Sequence, residues 1–262
     1  MGKLDGKVAI VTGGGRGIGR AIAEGYAREA ARVVVTAARE RGEIDGFAAL
    51  WGGERALAIL ADVTDPAACE RVVTETVARF GRLDVLVNNA GRGMKYVSPR
   101  FLTEPTRFWE VEPAVWRMVI DTNVNGPFFM ARAAVRHMLG YGAGAIINVS
   151  MNYETMKRRG FSPYAPSKAA LESETIIWAQ DLEGTGITVN EILPGGATAT
   201  GMIPPGIPEE LRQRLLSPEI VVPLAVFLAS EAARTLTGRR LVATEWSLQR
   251  PEGHAASSGI GD

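Results

Sequence analysis

Cysteine is almost absent from this sequence, because Cys69 is the single one among 262 residues. No intrachain disulfide can form, which favours a reducing compartment such as the cytoplasm. Cys69 lies in a helical pattern without an obvious base partner, so we expect an inert thiol in the core. An excess of charge is also missing, since Lys+Arg and Asp+Glu both number 29. Nucleic acids and anionic membrane surfaces require an excess of positive charge, so neither is a predicted partner.

Long apolar runs are missing as well. No stretch approaches the roughly 18–20 apolar residues that a membrane-spanning helix needs. No charged and then apolar leader precedes the first predicted strand. The sequence therefore predicts a soluble, cytoplasmic protein, and we predict no metal site in it.

Short β-branched runs alternate with helix-length segments along the chain. The predicted strands cover residues 8–12, 32–36, 56–63, 83–87, 145–149, 188–193 and 240–244. The predicted helices cover residues 18–30, 66–80, 113–139 and 163–183, with one or two short helices within 209–230. The strands are apolar throughout rather than alternating, which is typical of a buried parallel sheet with helices on both faces. We therefore predict an α/β protein.

The chain shows no internal repeat, no low-complexity linker and no break in composition. We predict one domain over residues 1–250, followed by a poorly ordered tail over 251–262. Two long irregular segments, 92–112 and 195–208, interrupt the regular pattern. Loops of that length in a compact domain are usually functional or disordered.

A glycine-rich run, Thr-Gly-Gly-Gly-Arg-Gly-Ile-Gly at 12–19, joins the first strand to the first helix. Glycines there allow a tight turn and bring backbone amides close to a pyrophosphate at the helix N-terminus. A glycine-rich turn without a ligand is the alternative, and the position between strand and helix favours the binding site. The spacing Gly13-x3-Gly17-x-Gly19 resembles the pattern of the short-chain dehydrogenase/reductase family.

Further motifs occur in the order that this family has. They are Asp62-Val63, Asn-Asn-Ala-Gly at 88–91, Asn123, Tyr164-x3-Lys168 and Pro194-Gly195. The resemblance spans roughly residues 12–195 and implies a single Rossmann-type, doubly wound domain with a parallel sheet of about seven strands. It also implies cofactor contacts from Gly13, Gly15, Arg16, Gly17, Ile18, Gly19, Arg39, Asp62, Val63, Asn89, Ala90, Gly91, Tyr164, Lys168, Pro194, Gly195 and Thr198.

The end of the second strand bears on the choice of cofactor. An acidic residue there binds the adenosine ribose and rejects a 2′-phosphate, but this chain has Ala37 at that position. Arg39 and Arg16 are able to pair with a phosphate, although both could instead be solvated surface charges. We therefore predict NADP(H) as the cofactor, with NAD as the alternative.

Tyr164 and Lys168 are one helical turn apart, so both side chains lie on one face of a helix. A tyrosine with its ordinary pKa of about 10 is a poor base at neutral pH, and a nearby ammonium lowers the pKa. The resemblance implies that Tyr164 exchanges a proton with the substrate oxygen and that Lys168 also holds the nicotinamide ribose. It implies that Asn123 anchors a water that relays protons to Lys168.

The family's catalytic serine lies 13 residues before the tyrosine, where this chain has Met151. Three interpretations remain open. The enzyme works without this donor, or a shift of the loop brings in Ser150, Asn152 or Tyr153, or the protein binds cofactor without turning over a substrate. In each case Met151 itself is expected to form a flexible apolar wall of the substrate pocket.

The sequence also bears on the substrate and on the oligomeric state. Basic residues at 157–159 and in the loop after the fourth strand would suit an anionic or polyhydroxylated substrate, although charge runs are more often simply solvated. Residues 195–216 correspond to the family's substrate lid, with Thr198 or Thr200 near the nicotinamide. We predict a homo-oligomer, a dimer or tetramer, that reversibly reduces a small-molecule carbonyl compound to an alcohol, or alternatively a catalytically silent sensor or scaffold.

Overall fold

The fold is built on a seven-stranded parallel sheet with the strand order β3-β2-β1-β4-β5-β6-β7. The structure is a computed structural model, and it describes residues 2–248. The strands are β1 Val8–Val11, β2 Arg32–Ala37, β3 Ala56–Leu60, β4 Val85–Asn88, β5 Gly144–Val149, β6 Ile187–Leu193 and β7 Arg240–Val242. The order reverses between β1 and β4, and such a switch point creates a crevice at the carboxyl ends of the strands.

Helices cover both faces of the sheet, as expected. Over residues 2–248 they are α1 Gly17–Arg28, α2 Arg41–Trp51, α3 Pro66–Phe80, α4 Pro113–Ile120, α5 Gly126–Tyr141, α6 Tyr153–Met156, α7 Tyr164–Asp181, α8 Glu209–Arg212 and α9 Val222–Ala229. None of the helices within these residues is both long enough and apolar enough to cross a membrane.

Two separate cores lie on the two faces of the sheet, because successive side chains of a strand point to opposite faces. In β1, Ala9 and Val11 pack into a core with α1, α2 and α9, whereas Ile10 packs into a core with α3, α5 and α7. Cys69 is buried in the second core, and burial raises the pKa of its thiol to about 12. This is the inert thiol that the sequence predicts.

The predicted α/β doubly wound fold is confirmed, and several element boundaries are corrected. Helix α2 is an element that the sequence reading did not predict, and β3 ends at Leu60 rather than at residue 63. The long helix expected over 113–139 is interrupted by a turn of π-helix at Asp121–Asn125. Strand β7 ends at Val242 rather than at 244. The predicted tail over 251–262 lies outside the described residues.

Candidate active site

The loops after β1 and β4 are tied together at the carboxyl edge of the sheet. The Thr12 hydroxyl accepts hydrogen bonds from the backbone N–H groups of Asn89 and Ala90, both at 3.0 Å. In return, the Asn89 side-chain amide donates to the carbonyl oxygens of Thr12 and Gly13 at 2.9 and 3.1 Å. The two motifs that the sequence singles out therefore form one rigid unit.

Glycine is required at two positions of this unit. Gly13 has φ 62°, a left-handed conformation that strains other residues, and a Cβ there would lie 3.1 Å from Cα of Ala90. A Cβ on Gly19 would collide with the Gly13 carbonyl oxygen and the Asn89 side-chain amide. The missing side chains thus allow the loop to fold back onto the start of α1, whose N-terminal backbone amides favour an anionic group.

An open groove of about 310 Å³ runs along this edge. Eleven of the predicted cofactor residues line it, namely Gly13, Gly15, Arg16, Gly17, Ile18, Arg39, Asp62, Val63, Asn89, Ala90 and Gly91. Gly19 packs against the Gly13–Asn89 contact rather than lining the groove. A glycine cradle with α1 behind it and with arginines at its rim fits the pyrophosphate and adenosine end of a nicotinamide dinucleotide.

The groove also contains residues that the sequence analysis did not assign to the cofactor. From the unpredicted α2 and the loop before it come Ala38, Glu40 and Glu43. Arg16 forms an ion pair with Glu43, with 3.1 Å between Nη1 and Oε1. Because α2 was not predicted, no sequence signal placed Glu43 next to Arg16. The arginine expected to meet a phosphate therefore already has a carboxylate partner.

The predicted lid, residues 195–216, reaches the groove beside the glycine loop, where Thr200 lies against Gly17. Thr200, Gly201 and Met202 line the groove, and Lys95 Nζ donates a hydrogen bond to the Gly201 carbonyl oxygen. Thr198, two residues earlier in the lid, is buried and forms an isolated β-bridge with Leu216. Of the two threonines considered from the sequence, Thr200 is the one in the groove lining. Pro194 and Gly195 follow β6, where the lid begins, and do not line the groove.

Tyr164 and Lys168 lie on the first turns of α7, next to the end of β5. Lys168 is buried, and its Nζ donates to the Val149 carbonyl oxygen at 2.7 Å. Burial lowers the pKa of Lys168 to about 8, and the negative charge of Glu191 opposes that shift. Burial raises the pKa of Tyr164 to about 12. The Tyr164 phenol is therefore protonated at neutral pH when no cofactor is bound. The pKa of Lys168, in contrast, lies only slightly above neutral pH.

Asn123 lies in the π-helical turn, where it is 1% exposed. Its side-chain amide donates to the Arg92 carbonyl oxygen at 3.0 Å and to the Ser167 hydroxyl at 2.9 Å. Its side-chain oxygen accepts from the Arg92 N–H at 2.8 Å. Asn123 thus joins the loop after β4 to the helix that carries Tyr164 and Lys168.

Met151 is 8% exposed and packs in an apolar cluster with Met94, Phe101, Phe161 and Ala165. The Tyr164 ring packs against the same cluster. The hydroxyl of the adjacent Ser150 is buried on the other side of the strand end, close to Glu191, where it acts to lower the pKa of that carboxyl.

Asn152 is the second alternative donor that the sequence offers. Its side-chain amide donates to the Gly195 carbonyl oxygen at 2.9 Å. Tyr153, the third alternative, has the Lys157 ammonium 3.9 Å from its ring centroid. The Tyr164 ring itself packs against the apolar cluster that contains Met151.

A row of polar residues crosses the sheet beneath α7, and we call it the polar row. Its members are register partners on adjacent strands, namely Asn88, Asn148, Glu191 and Arg240. Their neighbours in sequence, such as Ile192 and Leu241, point into the opposite core, so the four side chains share one face. The Asn88 amide donates to Asn148, and the Asn148 amide donates to Thr175 of α7. The sequence analysis did not identify this row.

The switch-point groove with its glycine cradle, together with the Tyr164–Lys168 pair on the adjacent helix, defines a dinucleotide-dependent oxidoreductase. The chain belongs to the short-chain dehydrogenase family, since the family model described as short chain dehydrogenase matches residues 7–208. It acts on alcohol or carbonyl groups with a nicotinamide dinucleotide, NAD or NADP, as its cofactor.

The chain is similar over most of its length to several named relatives. It is 32% identical to the 3-oxoacyl-[acyl-carrier-protein] reductase of Escherichia coli, covering 91% of this chain and 96% of the relative. It is 34% identical to the cis-4-hydroxycyclohexanecarboxylate dehydrogenase of Sinomonas cyclohexanicum, covering 88% and 92%. Among solved structures, the 3-ketoacyl-(acyl-carrier-protein) reductase of Brucella melitensis complexed with NADH superposes with a TM-score of 0.82 at 30% identity, covering 91% of this chain and 97% of that chain.

Proposed function

We propose that this protein reversibly reduces a carbonyl compound to a secondary alcohol with NADP(H), and that Tyr164 transfers the proton. The observation that carries the proposal is that Tyr164 and Lys168 lie one turn apart at the start of α7, beside the end of β5 at the carboxyl edge of the sheet. The groove runs along the same edge, although neither of these side chains lines it. General acid–base transfer by a positioned side chain contributes typically ~10²–10⁴-fold to a rate.

Each group of residues has its own role in the proposed reaction. The glycine loop, Asp62 and the segment at 88–91 hold the dinucleotide, which when bound supplies or accepts a hydride. The Tyr164 hydroxyl donates its proton to the carbonyl oxygen during reduction and takes it back during oxidation. The Lys168 ammonium stabilises the phenolate that this transfer creates. Asn123 keeps the loop after β4 and α7 in a fixed relation, so that the proton donor stays in place.

The proposed preference for NADP(H) is supported by the second strand. Ala37 ends it without a carboxylate, and Arg39 lines the groove nearby. A 2′-phosphate is able to pair with Arg39, and also with Arg16 once it displaces Glu43. Tighter binding of NADH than of NADPH by the purified protein would refute this preference.

The substrate that we propose is a small carbonyl compound with an apolar body. Tyr164 packs against a buried apolar cluster that contains Met94, Phe101, Met151 and Phe161. Two relatives have names that describe an acyl or cyclohexane body bearing the reacting oxygen. The basic residues of the rim are partly engaged within the protein, since Arg92 stacks on the Tyr96 ring and Lys95 contacts Gly201. A polyhydroxylated substrate turned over faster than an apolar ketone would refute this assignment.

We also propose that the protein works as a cytoplasmic homo-oligomer. Several large apolar side chains on α5 and α7 are exposed, namely Phe128, Leu139, Tyr141, Ile176 and Ile177. Single exposed apolar residues are ordinary, whereas two helices carrying them together favour an interface. Sedimentation velocity that finds a monomer at micromolar concentration would contradict the assembly.

The decisive experiment measures NADPH oxidation by the purified protein against a panel of 3-oxoacyl thioesters, cyclic ketones and aldehydes. Turnover by the wild type and a loss of about 10²–10⁴-fold in Tyr164→Phe are expected, with NADPH affinity retained. Tyr153→Phe is the matched control, because it removes a neighbouring phenol and is expected to leave the rate within a few-fold.

Two outcomes would change the assignment. Loss of activity in Tyr153→Phe but not in Tyr164→Phe would move the proton donor to the segment after β5. Equal inactivity of the wild type and Tyr164→Phe, with micromolar NADPH binding in both, would favour the alternative of a silent dinucleotide-binding protein.

A further inference from the structure

Four ionisable side chains are buried together beside the end of β5. Lys168 and Glu172 come from α7, Glu191 from β6 and Arg240 from β7, and the first three are at most 5% exposed. The proposed reaction uses Lys168 and gives no role to the other three. Buried charges are costly unless they are paired, so the cluster requires a physical explanation.

Arg240 organises the acidic side of the cluster. Its Nε lies 3.3 Å from Glu172 Oε1 and 3.9 Å from Glu191 Oε2. Its Nη2 donates to the Met151 carbonyl oxygen at 3.1 Å, so the same side chain also holds the chain segment that leaves β5. Arg240 is thus closer to Glu172, and Glu191 needs a second source of positive charge.

Glu191 faces groups from every element around it. Both of its carboxylate oxygens are buried and accept no hydrogen bond. The charged groups that act on it are Arg240 from β7 and Lys168 and Glu172 from α7, together with the Ser150 hydroxyl at the end of β5. Lys168 donates one N–H to the Val149 carbonyl oxygen. Its positive charge still acts on the Glu191 carboxylate.

We propose that Glu191 is a positioning residue for the proton chemistry, because its buried carboxylate is the counter-charge that keeps the Lys168 ammonium protonated. Arg240 and the polar row hold this carboxylate in place from the sheet side. The inference rests on the proposed roles of Tyr164 and Lys168. No bond changes apart from those to the titrating protons: below its pKa Glu191 is a neutral acid, and once it has lost its proton its charge favours the ammonium form of Lys168.

Burial shifts the pKa values of Glu191 and Lys168 in opposite directions, each towards the neutral form of the group. Burial raises the pKa of Glu191 to about 8 and lowers that of Lys168 to about 8. Their mutual attraction opposes both shifts, since each charge stabilises the other. Groups coupled in this way lose their protons in two steps, whose apparent pKa values belong to the pair rather than to either residue. The charge beside Tyr164 therefore depends on Glu191 as well as on Lys168.

The first test is Glu191→Gln, which keeps the shape and removes the charge. We expect the pKa of Lys168, followed through its side-chain ¹³Cε resonance and assigned with Lys168→Met, to fall by about one unit or more. Glu191→Asp keeps the charge and is expected to restore most of the wild-type value. Glu174→Gln is the matched control, because Glu174 is a partly buried carboxylate on α7, the helix of Lys168, and its raised pKa is due to burial alone.

A second test does not require the Glu191 variant to fold. In Lys168→Met, the infrared C=O band of the protonated Glu191 carboxyl is expected to persist to higher pH than in the protein with Lys168. Both proteins carry Glu174→Gln to remove the other titrating buried carboxyl. Because coupling between two sites is reciprocal, this shift should equal the shift of Lys168 in Glu191→Gln.

The activity measurement separates this inference from the proposed function. For carbonyl reduction, kcat of Glu191→Gln is expected to decline at lower pH than kcat of the wild type, by about the same one unit, with little change in KM. An unchanged Lys168 pKa in Glu191→Gln, or an unshifted infrared titration in Lys168→Met, overturns the inference whether or not a carbonyl is reduced. A wild type without Tyr164-dependent turnover refutes the proposed function, while the two pKa measurements still decide whether Glu191 is the counter-charge.

Discussion

At the scale of single residues, Met151 is the position where the chemistry of this chain differs most from what its family resemblance implies. In the proposed site a hydroxyl there would give the substrate oxygen a second hydrogen-bond donor, whereas Met151 packs in an apolar cluster beside the Tyr164 ring. If Tyr164 works alone, Met151→Ser should raise kcat for carbonyl reduction, by up to about 10²-fold, because one such donor is typically worth ~10²–10³. Steady-state kinetics on a substrate from the active panel would measure the change.

Met151→Ala is the control for this substitution, since it removes the thioether without adding a donor. We expect it to leave kcat unchanged or lower, because it opens space in the apolar cluster. A Met151→Ser enzyme that is no faster than Met151→Ala would indicate that another group already supplies the donor. Asn152 is then the first residue to test, once its bond to the Gly195 carbonyl oxygen is broken.

Glu43 is the residue whose charge bears on cofactor choice and which only the structure revealed. Its carboxylate forms an ion pair with the Arg16 guanidinium. Glu43→Gln should bind NADPH more tightly relative to NADH, because Arg16 is released and a negative charge leaves the groove. A partly exposed ion pair is worth roughly 0.2–1 kcal/mol, so a change of up to about fivefold in the ratio of the dissociation constants is expected by calorimetry.

Asp45→Asn provides the comparison, because Asp45 lies on the same helix and pairs with Arg41, away from Arg16. We expect it to leave the NADPH to NADH ratio as in the wild type. A ratio in Glu43→Gln that stays equal to that of Asp45→Asn would mean that Arg16 does not meet the phosphate.

At the scale of elements, the contact between the β1–α1 loop and the β4 loop should determine cofactor binding. Gly19→Ala places a methyl group against the Gly13 carbonyl oxygen and the Asn89 amide. Overpacking of this kind costs typically ~1–3 kcal/mol, so the variant should be less stable in urea and bind NADPH at least about tenfold more weakly. Titration of cofactor fluorescence and denaturant unfolding measure the two effects.

Gly46→Ala is the matched glycine substitution. Gly46 lies within α2 and an added Cβ meets nothing within 4 Å. Alanine in a helix is favoured over glycine by ~0.5–1 kcal/mol, so this variant should be slightly more stable and bind NADPH as the wild type does. Equal cofactor affinity in the two alanine variants would contradict the role given to the loop contact.

The elements also show where sequence reasoning succeeds and where it stops. The strands were predictable because buried parallel strands are continuous apolar runs, and the motifs at 12–19, 88–91 and 164–168 fall where the structure brings loops together. Helix α2 was missed, since Arg41–Trp51 contains two glycines and carries a weak apolar stripe. The π-helical turn that places Asn123 could not be predicted, because it depends on packing against Arg92 and Ser167.

For the whole molecule, the buried carboxylates predict how stability depends on pH. Burial raises the pKa of Glu174 to about 7 and that of Glu191 to about 8, against a usual value of 4.5. Between these limits the folded chain binds more protons than the unfolded chain, so the free energy of unfolding should fall as the pH rises from 5 to 8. Urea unfolding of the cofactor-free protein at several pH values would measure this slope.

The double variant Glu174→Gln/Glu191→Gln tests the cause of the slope. Without the two titrating carboxyls the fall should disappear, and stability should instead rise towards pH 8, because the lowered pKa of Lys168 makes the unfolded chain bind more protons there. A double variant that keeps the wild-type slope would assign the pH dependence to other groups.

Sheet order and register were within reach of sequence reasoning only in outline. The alternation of strands and helices predicts a doubly wound sheet, and the family resemblance predicts about seven strands, as observed. The polar row remained hidden because Asn88, Asn148, Glu191 and Arg240 are far apart in sequence and become neighbours only through the register of four strands. Residues that gain their role from long-range pairing leave no local pattern.

The pairing of Arg240 with Glu172 and Glu191 also constrains how this sequence can diverge over generations. Removing one partner of a buried ion pair typically costs ~3–5 kcal/mol, a large share of the roughly 5–15 kcal/mol by which proteins are stable. Replacing all the partners together by apolar residues of similar volume is often neutral. Descendants of this chain should therefore retain or lose the three charges as a unit, so that these positions are inherited together although 68 residues separate the first from the last.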